Sequence, residues 1–97
     1  MTEDNALNEI IADLKELEKD YRMRLLIEVP MENYEAYLKD PVGLPPDQYR
    51  ISFLCHMIRM LVVARFLSDM DLSFKKELWA VVCKIINYLE VEMFKGD

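Results

Sequence analysis

Glycine is nearly absent from this 97-residue chain, which has only Gly43 and Gly96. That scarcity excludes a glycine-rich phosphate loop and disfavours many short strands joined by tight turns. His56 is the only histidine, and Cys55 and Cys83 are the only cysteines. These three residues fall short of a zinc site at useful spacing. Two widely separated cysteines in apolar, helical runs make no disulfide framework and read as buried, reduced thiols of a cytoplasmic protein. The four prolines are confined to positions 30–46, leaving both flanks free of proline breakers.

No hydrophobic run is long enough to span a bilayer. The longest, from Ile51 to Leu67, is interrupted by Ser52, His56, Arg59 and Arg65. The opening Met1-Thr2-Glu3-Asp4 has no basic region followed by an apolar run, so no signal peptide is expected. Basic residues are also in short supply, with 12 Lys and Arg against 18 Asp and Glu for a net charge of −6. That balance argues against direct nucleic-acid binding, which needs a basic footprint. The acidity is concentrated in residues 1–20, which hold seven acids and two lysines, whereas residues 49–97 hold seven bases and six acids. An acidic first helix is consistent with a solvated face or with steering toward a basic partner.

What the chain does contain is apolar side chains, 53% of the total, enough for one domain with a modest core. Leu7, Ile10, Ile11, Leu14, Leu17 and Tyr21 share one face of a helix predicted from about Thr2 toward Val29. Thr2, Asp4 and Asn5 offer cap oxygens there. Residues 25–29 fit either the last turns of that helix or a short extended segment, and Pro30 is expected to end it. Residues 31–40 suit a short helix with Tyr34, Tyr37 and Leu38 on one face. A proline-rich loop follows at 40–46.

A third helix is predicted from Pro46 or Asp47 to about Leu67, apolar around most of its circumference, with Gln48, Ser52, His56 and Arg59 as a thin polar stripe. Ser68 to Ser73 reads as a turn. A fourth helix is predicted from Leu72 to about Lys95, on a face defined by Phe74, Leu78, Val81, Val82, Ile85 and Leu89, with Ile86 and Met93 at its flank. Gly96 stands where a helix stops. The expected fold is all-α, a single domain over residues 1–97. It would be a small antiparallel helical bundle of three long helices and one short helix.

No catalytic, metal or cofactor constellation emerges, and the chain does not read as an enzyme. Cys55 and His56 are adjacent on a helix and point about 100° apart, so they are a poor nucleophile–base pair. Glu9, Asp13 and Glu16 share a face, but no nearby histidine makes them a dinuclear metal set. Occupation of a DNA-binding cleft by this acidic face is a weaker alternative. Two features fit protein binding better. Trp79, on the flank shared with Cys83 and Ile86, is either core edge or an interface anchor. The stretch Pro41-Val42-Gly43-Leu44-Pro45-Pro46 is either a stiff connector or a peptide offered to a partner that reads proline units, such as a prolyl isomerase or an aromatic-lined groove. The candidate partner-binding residues are thus Gly43, Leu44, Pro45, Pro46 and Trp79.

In length, acidity, helical design and this proline loop, the chain resembles the small anti-RecBCD proteins of lambdoid Salmonella phages. The resemblance implies binding to the host RecBCD nuclease-helicase through its RecC subunit, with engagement of a cyclophilin-type prolyl isomerase in the host cytoplasm. Assigning Gly43–Pro46 to the isomerase rests on proline chemistry, not on a family motif. The resulting expectation is a modulator of a host enzyme. A self-assembling structural or adaptor protein is the alternative.

Overall fold

The computed structural model describes residues 2–67 and 69–94. Among these residues there are four helices: α1 (Thr2–Glu18), α2 (Tyr21–Lys39), α3 (Pro46–Leu67) and α4 (Leu72–Phe94). No strand occurs among the described residues. Each helix packs on its neighbour in sequence, and α1 also packs on α4, which closes a ring of four helices around one core. The diagonal is bridged at one end, where the Arg22 guanidinium lies 4.4 Å over the Phe74 ring.

The core follows helical spacing. Ile10, Leu14 and Leu17 of α1 meet Met23, Ile27, Met31 and Tyr34 of α2. Leu54, Met57, Leu61 and Ala64 of α3 meet Leu78, Val82, Ile85 and Leu89 of α4. The recurrence every three or four residues places each set on one stripe, and its burial is the main force closing the ring. Met70, in the turn before α4, is buried as well.

The helix boundaries differ from the expected ones in two places. First, the segment from Thr2 toward Val29 is not one helix. It breaks after Glu18, and Asp20 caps a new helix, its carboxylate accepting the Arg22 N–H at 2.8 Å and the Arg22 side chain at 3.0 and 2.7 Å. An unbroken helix over residues 2–29 would be about 42 Å long and would carry Met23 and Ile27 away from the core. The break folds them back onto α1.

Second, Pro30 does not end the helix. It lies inside α2, which runs on to Lys39, so residues 25–29 are helical and no short helix occurs among the described residues. The four helices have 17, 19, 22 and 23 residues. Proline withholds the N–H that would have bonded to the Leu26 carbonyl. Burial of Met23 and Ile27 before it, and of Met31, Tyr34 and Tyr37 after it, holds the helix through that gap.

Smaller differences follow from the same packing. Tyr21 and Leu38, expected on buried faces, are exposed, and both cysteines are free and half-buried rather than buried. The side-chain roles expected of Thr2, Asp4, Leu67 and Met93, the turn position of Ser68 and the stop at Gly96 lie outside the described residues.

Candidate protein-binding surfaces

The proline loop is anchored at both ends. At the end of α2 the Asp40 N–H donates to the Ala36 carbonyl at 3.1 Å. At the start of α3 the Tyr49 N–H donates to the Pro45 carbonyl at 2.9 Å. Pro46 takes the first helical position, where a missing N–H leaves no bond unmade. Between them Gly43 has φ +93°, a left-handed conformation that favours glycine. A Cβ there would meet nothing within 4 Å, so the requirement comes from the backbone and not from crowding.

Beneath the loop, four aromatic rings form a ladder between α2 and α3. Tyr37 stacks on Tyr49 with centroids 3.9 Å apart and planes 12° from parallel. Tyr49 lies 6.1 Å from Tyr34, which stacks on Phe53 at 4.5 Å. The Tyr37 hydroxyl reaches out of this ladder and donates to the Leu44 carbonyl. Burial pushes the Tyr34 phenol above its usual range, partly opposed by the nearby Arg50 charge. The ladder therefore fixes the loop from below and leaves its outer side chains to solvent: Val42 is 74% exposed and Leu44 49%.

Trp79 belongs to a different surface. Its ring is 45% exposed on the α3–α4 side of the bundle, with the Arg65 guanidinium 5.3 Å from its centroid. Arg65 is 19 residues beyond Pro46, or about 28 Å along α3. The structure thus groups Gly43, Leu44, Pro45 and Pro46 and leaves Trp79 far from them. Trp79 has company of its own in exposed Ile86 and Phe66.

Two further clusters bear on chemistry. A groove of about 460 Å³ between α2 and α3 is lined by Pro30, Asn33, Ser52, Cys55, His56 and Arg59, among others. It mixes polar and apolar side chains, and no carboxylate lines it to orient His56. Among the described residues no group of three or more His, Cys, Asp or Glu is placed to hold a metal. On the α1–α4 side, Lys84 Nζ meets Glu9 at 2.7 Å and Asp13 at 2.8 Å. Hydrogen bonds to Asp13 and then Glu9 raise the Lys84 pKa. Glu16 pairs with Lys19 at 3.0 Å. The three acids that could have imitated a phosphate array are thus all engaged by lysines.

Sequence reasoning passed over the ladder under the loop and an exposed stripe of Tyr21, Leu25 and Val29 on α2. The ladder had a signal: tyrosines at 34 and 37 and aromatics at 49 and 53 flank the loop symmetrically. The stripe recurs every fourth residue, but Tyr21 counts with the buried face of the first helix and residues 25–29 fit either a helix or an extended segment, so the sequence does not assign the three to one helix face.

No family model, curated protein or solved structure matches the chain. No helix among the described residues is long and apolar enough to cross a membrane. Fold and surfaces together define the class: an all-α helical bundle with a braced, exposed proline loop.

Proposed function

We propose that the chain is a non-enzymatic protein-binding module that presents loop 40–46 to a protein partner in the cytoplasm and modulates that partner by occupying it. The observation carrying this reading is the bracing of the loop by the tyrosine ladder while Val42 and Leu44 stay exposed. A connector needs no such bracing. A recognition element gains from it, because ordering a loop before binding removes that cost from the association. The reading includes an antiparallel order of helices, supported by the short connections and by Arg50, near the start of α3, meeting Glu92, near the end of α4, at 2.6 Å.

The candidate partners follow from the resemblance to anti-RecBCD proteins: RecBCD through RecC, and a cyclophilin-type prolyl isomerase for the Leu44-Pro45-Pro46 segment. The test is a pulldown with the immobilised chain, first from bacterial lysate and then with purified RecBCD and cyclophilin. A stoichiometric partner should be retained by the wild type and weakened by Pro45→Ala with Pro46→Ala, while the helical circular-dichroism spectrum stays unchanged. Recovery of no partner, or equal recovery by the double variant, removes the role assigned to the loop.

A further inference from the structure

α3 and α4 each carry a second apolar seam, outside the core. On α3 it is Ile51, Cys55, Ile58 and Val62, all half-buried at the rim of the core. On α4 it is Trp79, Cys83 and Ile86, continued by Lys76 at one end and Glu90 at the other. Both seams step by four and three residues, the spacing that lets one helix pack lengthwise on another. They lie side by side, because Arg65 of α3 stacks on Trp79 of α4. The Arg50–Glu92 and Arg65–Trp79 contacts set the register of the two helices and place Met60 level with Cys83.

The charges along this face are polarised. Arg65, Lys75 and Lys76 gather at the Trp79 end, with Asp69 in the turn beyond them. Asp47, Glu90 and Glu92 lie at the other, where Arg50 pairs with Asp47 and Glu92 and leaves an acidic excess. Asp71, in the turn beyond the basic end, lies toward Arg22 of α2. We infer that a second copy of this chain covers the face, with α4 lying on α4 and α3 on α3 of the other copy, each pair running in opposite directions. The two-fold axis then crosses the helices at Cys83. Cys83 meets its own copy, Trp79 meets Ile86 of the second copy, Lys76 meets Glu90, and on α3 Ile58 meets Val62. The alternative two-fold axis, parallel to the helices, would set Lys75 and Lys76 against Arg65 of the second copy, and like charges disfavour it.

The dimensions allow a lengthwise contact along α3 and α4. The molecule measures 40 × 28 × 20 Å, so the whole outline of its narrower long side is about 800 Å², and a lengthwise contact must use most of that side. A stable interface of ordinary size buries about that much on each partner. This inference does not rest on what the proline loop binds. With the axis at Cys83, the two loops sit at opposite ends of the dimer.

The test is sedimentation equilibrium on the full chain, with two exposed charge reversals that leave the core untouched. The wild type should have twice the 11.5 kDa chain mass. Lys76→Glu and Glu90→Lys should each raise the dimer dissociation constant about tenfold, since each turns two opposite-charge contacts into like-charge ones. The double exchange should restore dimerisation. A short bismaleimide should link two chains through Cys83, and Cys83→Ser but not Cys55→Ser should prevent it. A wild type that stays monomeric overturns the proposal. So does a dimer indifferent to both reversals, which would place the contact on another face.

Discussion

Tyr37 is where bracing of the loop and stability of the fold can be separated. Tyr37→Phe removes only the hydroxyl that donates to the Leu44 carbonyl, and the ring stays stacked 3.9 Å from Tyr49. Leu44 is about half exposed in a part-buried hydrogen bond, so its freed carbonyl can turn to water at a small desolvation cost. The expected loss of global stability is one ordinary hydrogen bond, about 1 kcal/mol. Tyr37→Ala also removes a buried ring and should cost about 3–5 kcal/mol. Urea unfolding measures both.

The informative comparison is local. In Tyr37→Phe, amide exchange of Val42 to Leu44 should rise severalfold while the core amides change only by the global loss. Affinity for any partner captured by the loop should fall by about the same 1 kcal/mol, or roughly fivefold, because the free loop must now be ordered on binding. Unchanged exchange in the loop would mean that the hydroxyl does not hold it. Unchanged affinity with raised exchange would mean that the loop's shape is irrelevant to recognition. Either result defeats the argument from bracing.

Replacing Pro30 by alanine restores a donor for the Leu26 carbonyl in the middle of α2. Against a helix-interior penalty of about 3 kcal/mol, less a gain in unfolded-chain freedom, the net stabilisation should be about 2 kcal/mol by urea unfolding. A loss would show that the ring's contacts outweigh the missing bond. The Arg22 guanidinium and backbone N–H hold the Asp20 carboxyl down from 3.8 to about 2. A group lowered on folding stabilises above its unfolded pKa, and that contribution is lost as pH falls through the folded value. Asp20→Asn keeps the capping oxygen but cannot titrate, so its stability should fall less steeply than wild type between pH 3.8 and about 2. Identical acid limbs would contradict the assignment. Within α3, Leu61→Ala should cost about 2–5 kcal/mol, and Val63→Ala, on the outer side, should change stability by about 0.5 kcal/mol or less. Similar costs at the two sites would refute the placement of the core face.

The sequence made the helices legible but not all of their ends, and the reason is specific. A stripe such as Ile10, Leu14, Leu17 and Tyr21 continues in register across Lys19 and Asp20, so periodicity alone sees no boundary there. The boundary comes from a local polar event, the capping of α2 by Asp20 and the return salt bridge from Arg22. Aspartate is common in solvated helix faces, and only the fold distinguishes the two uses. Pro30 misled in the opposite direction. Its local penalty of about 3 kcal/mol is real, yet five buried residues of α2, including Ile27 and Met31 on either side, tie the helix to the core. Tertiary burial therefore outweighs a local breaker that sequence rules treat as decisive.

The binding surfaces divide along the same line. The loop at 40–46 was visible because proline and glycine write their backbone requirements into the sequence. Its bracing was not, because a ladder between α2 and α3 depends on how two helices meet. α3 is the converse case. Its nearly all-round apolar surface, read from the sequence alone, fits either a helix central to the fold or one buried again by a partner. The fold buries Leu54, Met57 and Leu61, and it leaves Ile51, Ile58 and Val62 at the rim beside Trp79 and Ile86. A bundle that needed only a core could have carried polar residues at those positions. Their apolar character, with opposite charges at the two ends of the same face, is what a self-complementary contact requires.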